Sequence, residues 1–319
     1  MNGRTIATCW LSWVAVAFLF LRVGPTPLAV GADDRIEIVP HWEKGARASY
    51  EITKTRTKGK EGSEALNATS RTDLVIEVLD RTAEGYSVAW TFGETTFLDP
   101  EQQRNPLIKQ MANLIKGQRI VLDLDVFAAI KGVRNWEELR AASTKVIDGT
   151  AKELAAAGVD PTVTEKVRGQ AVAMFSTQKQ VEQTCIPEAR IFFMAHGATL
   201  SPSEPLEYED HLQSPFGGEA LPTHARFSLR SMDRASDQVI ITWEQSIDPE
   251  QLQRVTEGIA SSVVKDNFSK LKNMSMEDHA EFVLEMSTGW VRSLRHTRRI
   301  SLEGGFQQDD MTIVRQQSE

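Results

Sequence analysis

The sequence predicts an α+β protein built on a large twisted antiparallel sheet, or on two related half-sheets from an internal duplication. Covering helices and a long αα-hairpin complete it. Three observations carry this. Runs of period-two alternation recur through the chain with short turn signals between them, as an antiparallel meander requires. Three stretches break that period with helix-start chemistry and a 3.6-residue apolar spacing. Finally, much of Asp80 to Gln102 occurs twice. Asp80-Arg81, a turn, Tyr86 to Trp90 and Asp99-Pro100-Glu101-Gln102 match Asp233-Arg234, a turn, Val239 to Trp243 and Asp248-Pro249-Glu250-Gln251.

The first 32 residues read as a targeting segment. Arg4 supplies a positive start and Ile6 to Leu21 is a nearly unbroken apolar run. Val30-Gly31-Ala32 then offers small residues before acidic Asp33-Asp34. That run of 16 residues is shorter than the roughly 20 a spanning helix needs. The expectation is therefore a signal peptide over 1–32 and an exported protein, periplasmic or extracellular. A membrane contact would arise only through an uncleaved segment. Cys185 is then the one remaining thiol, in an apolar setting that suits a buried, unreactive residue.

Beyond residue 32 the elements follow in order. Tyr50 and Ile52 share a parity with Lys54, Arg56 and Lys58, a strand whose far end is charged. Thr72 to Leu79 and Tyr86 to Phe97 are strands about the Asp80 to Gly85 turn. Asp99 caps a helix with Pro100 at its first position and Gln102 at the return position of a capping box. Leu107, Met111, Leu114 and Ile115 trace its apolar face. Ile120, Leu122 and Leu124 return to strand spacing, and Val126 to Val133 is a further strand with a bend.

Asn135 to Gln183 is the helical region. Trp136, Leu139, Val146 and Leu154 space one stripe; Val163, Val167, Ala171, Met174, Gln178 and Val181 space the other, with Gly158 between. Each arm would span about 30 Å. Strands resume at Arg190–Ala195, Leu206–Leu212, Arg226–Met232 and Gln238–Ser246. A helix follows from Asp248 with Leu252 to Leu271 on its apolar face, then strands Glu281–Ser287, Trp290–Ser301 and Phe306–Arg315. The predicted organisation is 33–134 as a first meander and helix unit, 135–184 as a helical hairpin insert and 185–319 as a second unit, or 33–319 as one domain.

Composition narrows the function. With 36 Lys and Arg against 44 Asp and Glu, the net charge of −8 excludes non-specific nucleic-acid binding, which needs an excess of cations. No zinc spacing, nucleophile elbow, phosphate loop or EF-hand pattern appears, so no catalytic residue, metal or cofactor is assigned. Four features bear on chemistry. Glu209-Asp210-His211 and Glu277-Asp278-His279 are acid–His triplets that read as polar residues in or beside turns. Asp123 and Asp125, about 7 Å apart on one strand face, read as a solvated face. Arg292, Arg295, Arg298 and Arg299 form a basic run that offers an anion contact or pairs with neighbouring acids. Asn67, Asn267 and Asn273 open glycosylation sequons, relevant only in a eukaryotic source.

Gly45, Tyr50 and Ile52, the mid-chain helices and Thr288-Gly289-Trp290 resemble a group of exported bacterial proteins described as a domain of unknown function. The meander with covering helices is also similar to the periplasmic lipoprotein carriers, whose curved sheet holds an acyl chain. Neither resemblance supplies a catalytic motif. The expected role is a non-enzymatic exported protein that binds an apolar ligand, such as lipid, or an envelope protein. The alternatives are an interaction module with a filled core and, third, a hydrolase.

Overall fold

The computed structural model describes residues 35–60, 63–104, 116–212, 221–247, 275–302 and 304–317. Its first meander comprises β2 (Arg47–Lys60), β3 (Leu66–Thr82), β4 (Gly85–Phe97), β5 (Arg119–Leu124) and β6 (Ile130–Val133). The second comprises β8 (Leu206–Leu212), β9 (Leu221–Asp233), β10 (Gln238–Ile247), β11 (Ser275–Glu285), β12 (Val291–Leu302) and β13 (Gly305–Arg315). Both belong to one sheet, in the order β6-β5-β4-β3-β2-β13-β12-β11-β10-β9-β8. All its pairings are antiparallel, and β13 joins the two meanders by pairing with β2 from Gly305↔Lys60 to Arg315↔Tyr50. Of the two predicted arrangements, the single sheet is the one formed.

One face of the sheet is apolar. Alternation puts Tyr50 and Ile52 on it from β2, Ile120 and Leu122 from β5, and Ile241 and Trp243 from β10, all nearly fully buried. Trp90 and Trp243 are each 1% exposed, on β4 and β10, the third strand from either edge. The polar face carries hydroxyl pairs such as Thr55–Thr69 at 3.1 Å, while Thr72–Thr95, at 2.9 Å, continues the row of Ile52 on the apolar side.

Four helices carry the chain from the β6 edge to the β8 edge. These are α2 (Trp136–Ala156), α3 (Pro161–Ala173), α4 (Gln178–Cys185) and α5 (Pro187–Phe193), after a short α1 (Pro100–Arg104). Asp99 caps α1 through a bond from the Gln102 amide at 3.3 Å. Asp160 caps α3 by accepting from Thr162 and Val163. Arg168 of α3 meets Asp148 of α2 at 2.8 Å.

Two sequence expectations need correction here. The second helical stripe is not one arm. Helix α3 ends at Ala173, and Thr177 starts α4 with a complete capping box to Gln180, so Val163 and Val181 lie on separate helices. Val163 is exposed while Val181 is buried. Arg190–Ala195, read as a strand, is mostly α5, with Pro187 at the first helical position. A short apolar run does not distinguish strand from buried helix by period alone, and packing on the sheet decided it.

Helix α5 inserts the centre of the core. Phe192 and Phe193 are buried and make edge contacts with Tyr50 at 5.3 Å and Trp90 at 5.4 and 6.1 Å. A strap from β1 (Ile36–Glu37), paired with β7 (Thr199–Leu200), closes one end. It delivers Trp42, which stacks on Trp290 at 4.8 Å and meets Tyr86 at 5.3 Å. His196 ties this end together, its ring nitrogens 3.2 Å from the Phe193 carbonyl and 2.7 Å from the Gly289 carbonyl. The predicted helix from Asp248, the residues around Leu107 to Ile115, the targeting segment and the sequons at Asn267 and Asn273 lie outside the described residues.

Candidate functional site

The strands β8 to β11 present different chemistry on their two sides, and both sides concentrate ionisable groups. On the exposed side, register places Glu207, Arg226, Glu244 and His279 in one row across four strands. A second row holds Glu209, His224, Ser246 and Glu277. Together these line an open hollow of about 690 Å³. All eight are exposed. His279 Nδ1 stands 3.8 Å from a Glu244 carboxylate oxygen. Four glutamates against one arginine make the hollow acidic, so it favours cations and repels anions.

The buried side of the same strands holds a polar network. Asp278, 3% exposed, accepts two bonds from Arg298, each 2.7 Å, and faces His296 Nε2 at 3.0 Å. Burial pushes the Asp278 carboxyl up, but Arg298 and His296 outweigh it and hold the group below the ordinary carboxylate value. His296 stacks on Trp243 at 6.4 Å, and Trp243 Nε1 donates to the Tyr208 hydroxyl at 3.1 Å. Beside them Gln245 Nε2 donates to Thr223 Oγ1 at 2.8 Å, while Gln245 Oε1 is buried without a partner. Burial raises neighbouring Asp210 from 3.8 to about 6.

This network was missed in the sequence, although a signal was present. Asp278 shares its parity with Met276, Ala280 and Phe282, and Arg298 and His296 share theirs with Leu294, so an acid and two bases sat at core positions. The Glu277-Asp278-His279 triplet is mid-strand rather than turn, and its middle residue points away from the outer two. Asp210 is likewise buried, whereas Glu209 and His211 are exposed.

The four arginines of the basic run divide between environments. Arg298 is buried on Asp278, and Arg292 meets Glu285 at 3.3 Å. Arg295 and Arg299 are exposed, register opposite Glu281 and Glu277, and Arg299 lies over the Phe306 ring at 4.8 Å. The charged end of β2 does neighbour this run, with β13 between: Arg56, Asp309 and Arg298 are in register. Arg56 pairs with Asp309, and Lys54 with Glu188. Asp123 and Asp125 do not act together. Strand β5 ends at Leu124; Asp125 instead accepts from the Phe127 and Ala129 amides at 2.8 Å, and Asp123 pairs with Arg134. Cys185 is half-buried, and burial pushes its thiol up to about 12. Among the described residues, no group of three His, Cys, Asp or Glu is arranged to hold a metal ion, and no helix is long and apolar enough to cross a membrane.

No family model matches the chain, and no curated protein matches it. Among solved structures it is similar to lipovitellin, from a study of lipid–protein interactions in that protein. Identity is 8% and the TM-score 0.45, over 86% of this chain and 25% of lipovitellin. This chain thus spans about a quarter of the lipovitellin chain it matches. It is also similar to DynF, from the dynemicin biosynthesis pathway of Micromonospora chersina, at 5% identity and a TM-score of 0.21 over 94% of each chain. Likeness at these scores transfers neither ligand nor activity.

Proposed function

We propose that this chain is an exported, non-enzymatic binding protein whose sheet is a rigid platform for a cationic partner in the cell envelope. The observation that carries the reading is the acidic hollow on β8 to β11, with Glu207, Glu209, Glu244 and Glu277 against Arg226. Away from the hollow, over β2 and β4, the aromatic cluster of Trp42, Tyr50, Trp90, Phe192, Phe193 and Trp290 fills the space between sheet, strap and α5. That filling favours a surface binder over a carrier with an acyl-sized interior. The carboxylates weighed for acid–base work are engaged structurally, which supports a non-enzymatic role. Export rests on the character of residues 1–32.

Titration with hexalysine, followed by calorimetry at two salt concentrations, tests the reading. Binding should weaken with added salt and be lost when the four glutamates become glutamine. Unchanged binding in that variant, or none in the wild type, would overturn it. Lipid extracted by organic solvent from the purified protein would instead support the apolar-ligand reading.

The internal duplication belongs to the same proposal. In support, β3-β4-β5 and β9-β10-β11 step across the sheet in the same direction, each with a buried Trp on its middle strand. Residues 135–184 would then be a helical insert between copies, supported by the α2–α3 ion pair.

A further inference from the structure

A second hollow, of about 550 Å³, lies at the opposite end of the sheet, over β3 to β6 and the start of α2. Its floor is a row set by register: Asp80 opposite Ser87, Ser87 opposite Asp123, Asp123 opposite Gly132. A bulge between Val78 and Asp80 makes this row possible. Val78 faces Val88 in the core, and the extra residue turns Asp80 to the other side, beside Ser87. The walls include Thr82, Lys131, Trp136 and Gln178.

Ser87 is the residue without a structural explanation. Its side chain is 3% exposed, it lines the hollow, and its hydroxyl oxygen has no hydrogen-bond partner. A buried, unsatisfied hydroxyl is costly, and an alanine at this position would not carry that cost. The carboxylates on either side are already charge-balanced: Arg134 holds Asp123, and Lys44 lies 3.3 Å from Asp80. Glu84 and Lys131, also on the wall, offset each other. The hollow therefore combines dense hydrogen-bonding capacity with little net charge. Its size falls within the roughly 300–1,000 Å³ of small-ligand sites.

We infer that this hollow binds a neutral polyhydroxylated ligand of saccharide type. Its hydroxyls donate to Asp80 and Asp123, and one accepts from or donates to Ser87 Oγ; Trp136 on the wall already carries the Arg140 guanidinium over its ring at 5.1 Å. A cation would find the carboxylates already neutralised, and an anion would meet three acids. This site is separate from the acidic hollow on β8 to β11, so each stands or fails alone.

Saturation-transfer NMR with glucose, N-acetylglucosamine and glycerol at millimolar concentration, with putrescine as the cationic comparison, tests it. The sugars should receive saturation and putrescine should not. Ser87→Ala should weaken sugar binding about 3- to 10-fold while leaving the melting temperature unchanged or raised, because it removes an unsatisfied group. Asp123→Asn should weaken it as well, and Ser203→Ala, in the β7–β8 loop, should not. Absence of transfer to every sugar, preference for putrescine, or equal binding by Ser87→Ala would each overturn the inference.

Discussion

Removing Asp278 is the sharpest test of how the second meander is held together. Its carboxylate takes both Arg298 bonds at 2.7 Å and faces His296 at 3.0 Å, all three residues being buried. Replacing it by leucine leaves the Arg298 guanidinium in a low-dielectric site without its counter-charge. Loss of one partner from such a pair costs about 3–5 kcal/mol. Arg298→Met should cost a similar amount by stranding Asp278. Combining Asp278→Leu with Arg298→Met removes both charges, so its cost should fall about 2–4 kcal/mol short of the sum. Urea denaturation gives the four stabilities, and at about 2 °C per kcal/mol each single variant should melt some 6–10 °C lower. The pH dependence has a definite sign. Asp278 is held below its ordinary value when folded, so its contribution is complete above the unfolded pKa and is lost as pH falls through the folded one. Additive single costs, or an Asp278→Leu penalty below about 1 kcal/mol, would show that the network is not the unit described here.

Asp210 should behave in the opposite sense. Its folded pKa near 6 lies above the unfolded 3.8, so its stabilisation is complete below 3.8 and disappears as pH rises through 6. The full shift corresponds to about 3 kcal/mol, and about 1–2 kcal/mol is expected after solvent screening; Asp210→Asn should flatten the stability profile between those pH values. Two glycines should separate backbone strain from collision. Gly45, at φ +85°, has open space around an added Cβ, and Gly45→Ala should cost about 1 kcal/mol. Gly85, at φ +139°, would drive that Cβ to 2.0 Å from the Leu124 carbonyl oxygen, and Gly85→Ala should cost at least about 3 kcal/mol by chemical denaturation. Phe192→Ala, at the centre of the aromatic cluster, should cost about 3–5 kcal/mol in the same assay. Cys185, with its thiol near 12, should resist iodoacetamide at pH 8 until the chain is unfolded.

Most of the meander was legible because an antiparallel strand between two faces writes its period directly into the residues. Leu206–Leu212 and Phe306–Arg315 follow from alternation and turn signals alone, and Asp99 announces a helix start by capping chemistry. Ser176-Thr177 and Gln180 carried an equally local signal that divides α3 from α4, but the apolar stripe across it was read as continuous. The short run Ile191 to Met194 was not decidable locally. Four apolar residues satisfy either period, and only docking of both phenylalanines onto Trp90 and Tyr50 selects helix.

By itself, then, the sequence determined most strand positions, the cap at Asp99 and the α+β class, since each depends on neighbours a few residues apart. Tertiary structure decided that the meanders close into one sheet through β2 and β13, because that pairing joins residues some 250 positions apart and has no local trace. It also decided the sites. Asp278 meets Arg298, and Ser87 lies between Asp80 and Asp123, only through strand register and one bulge, which convert ordinary polar residues into a buried ion pair and a lined hollow.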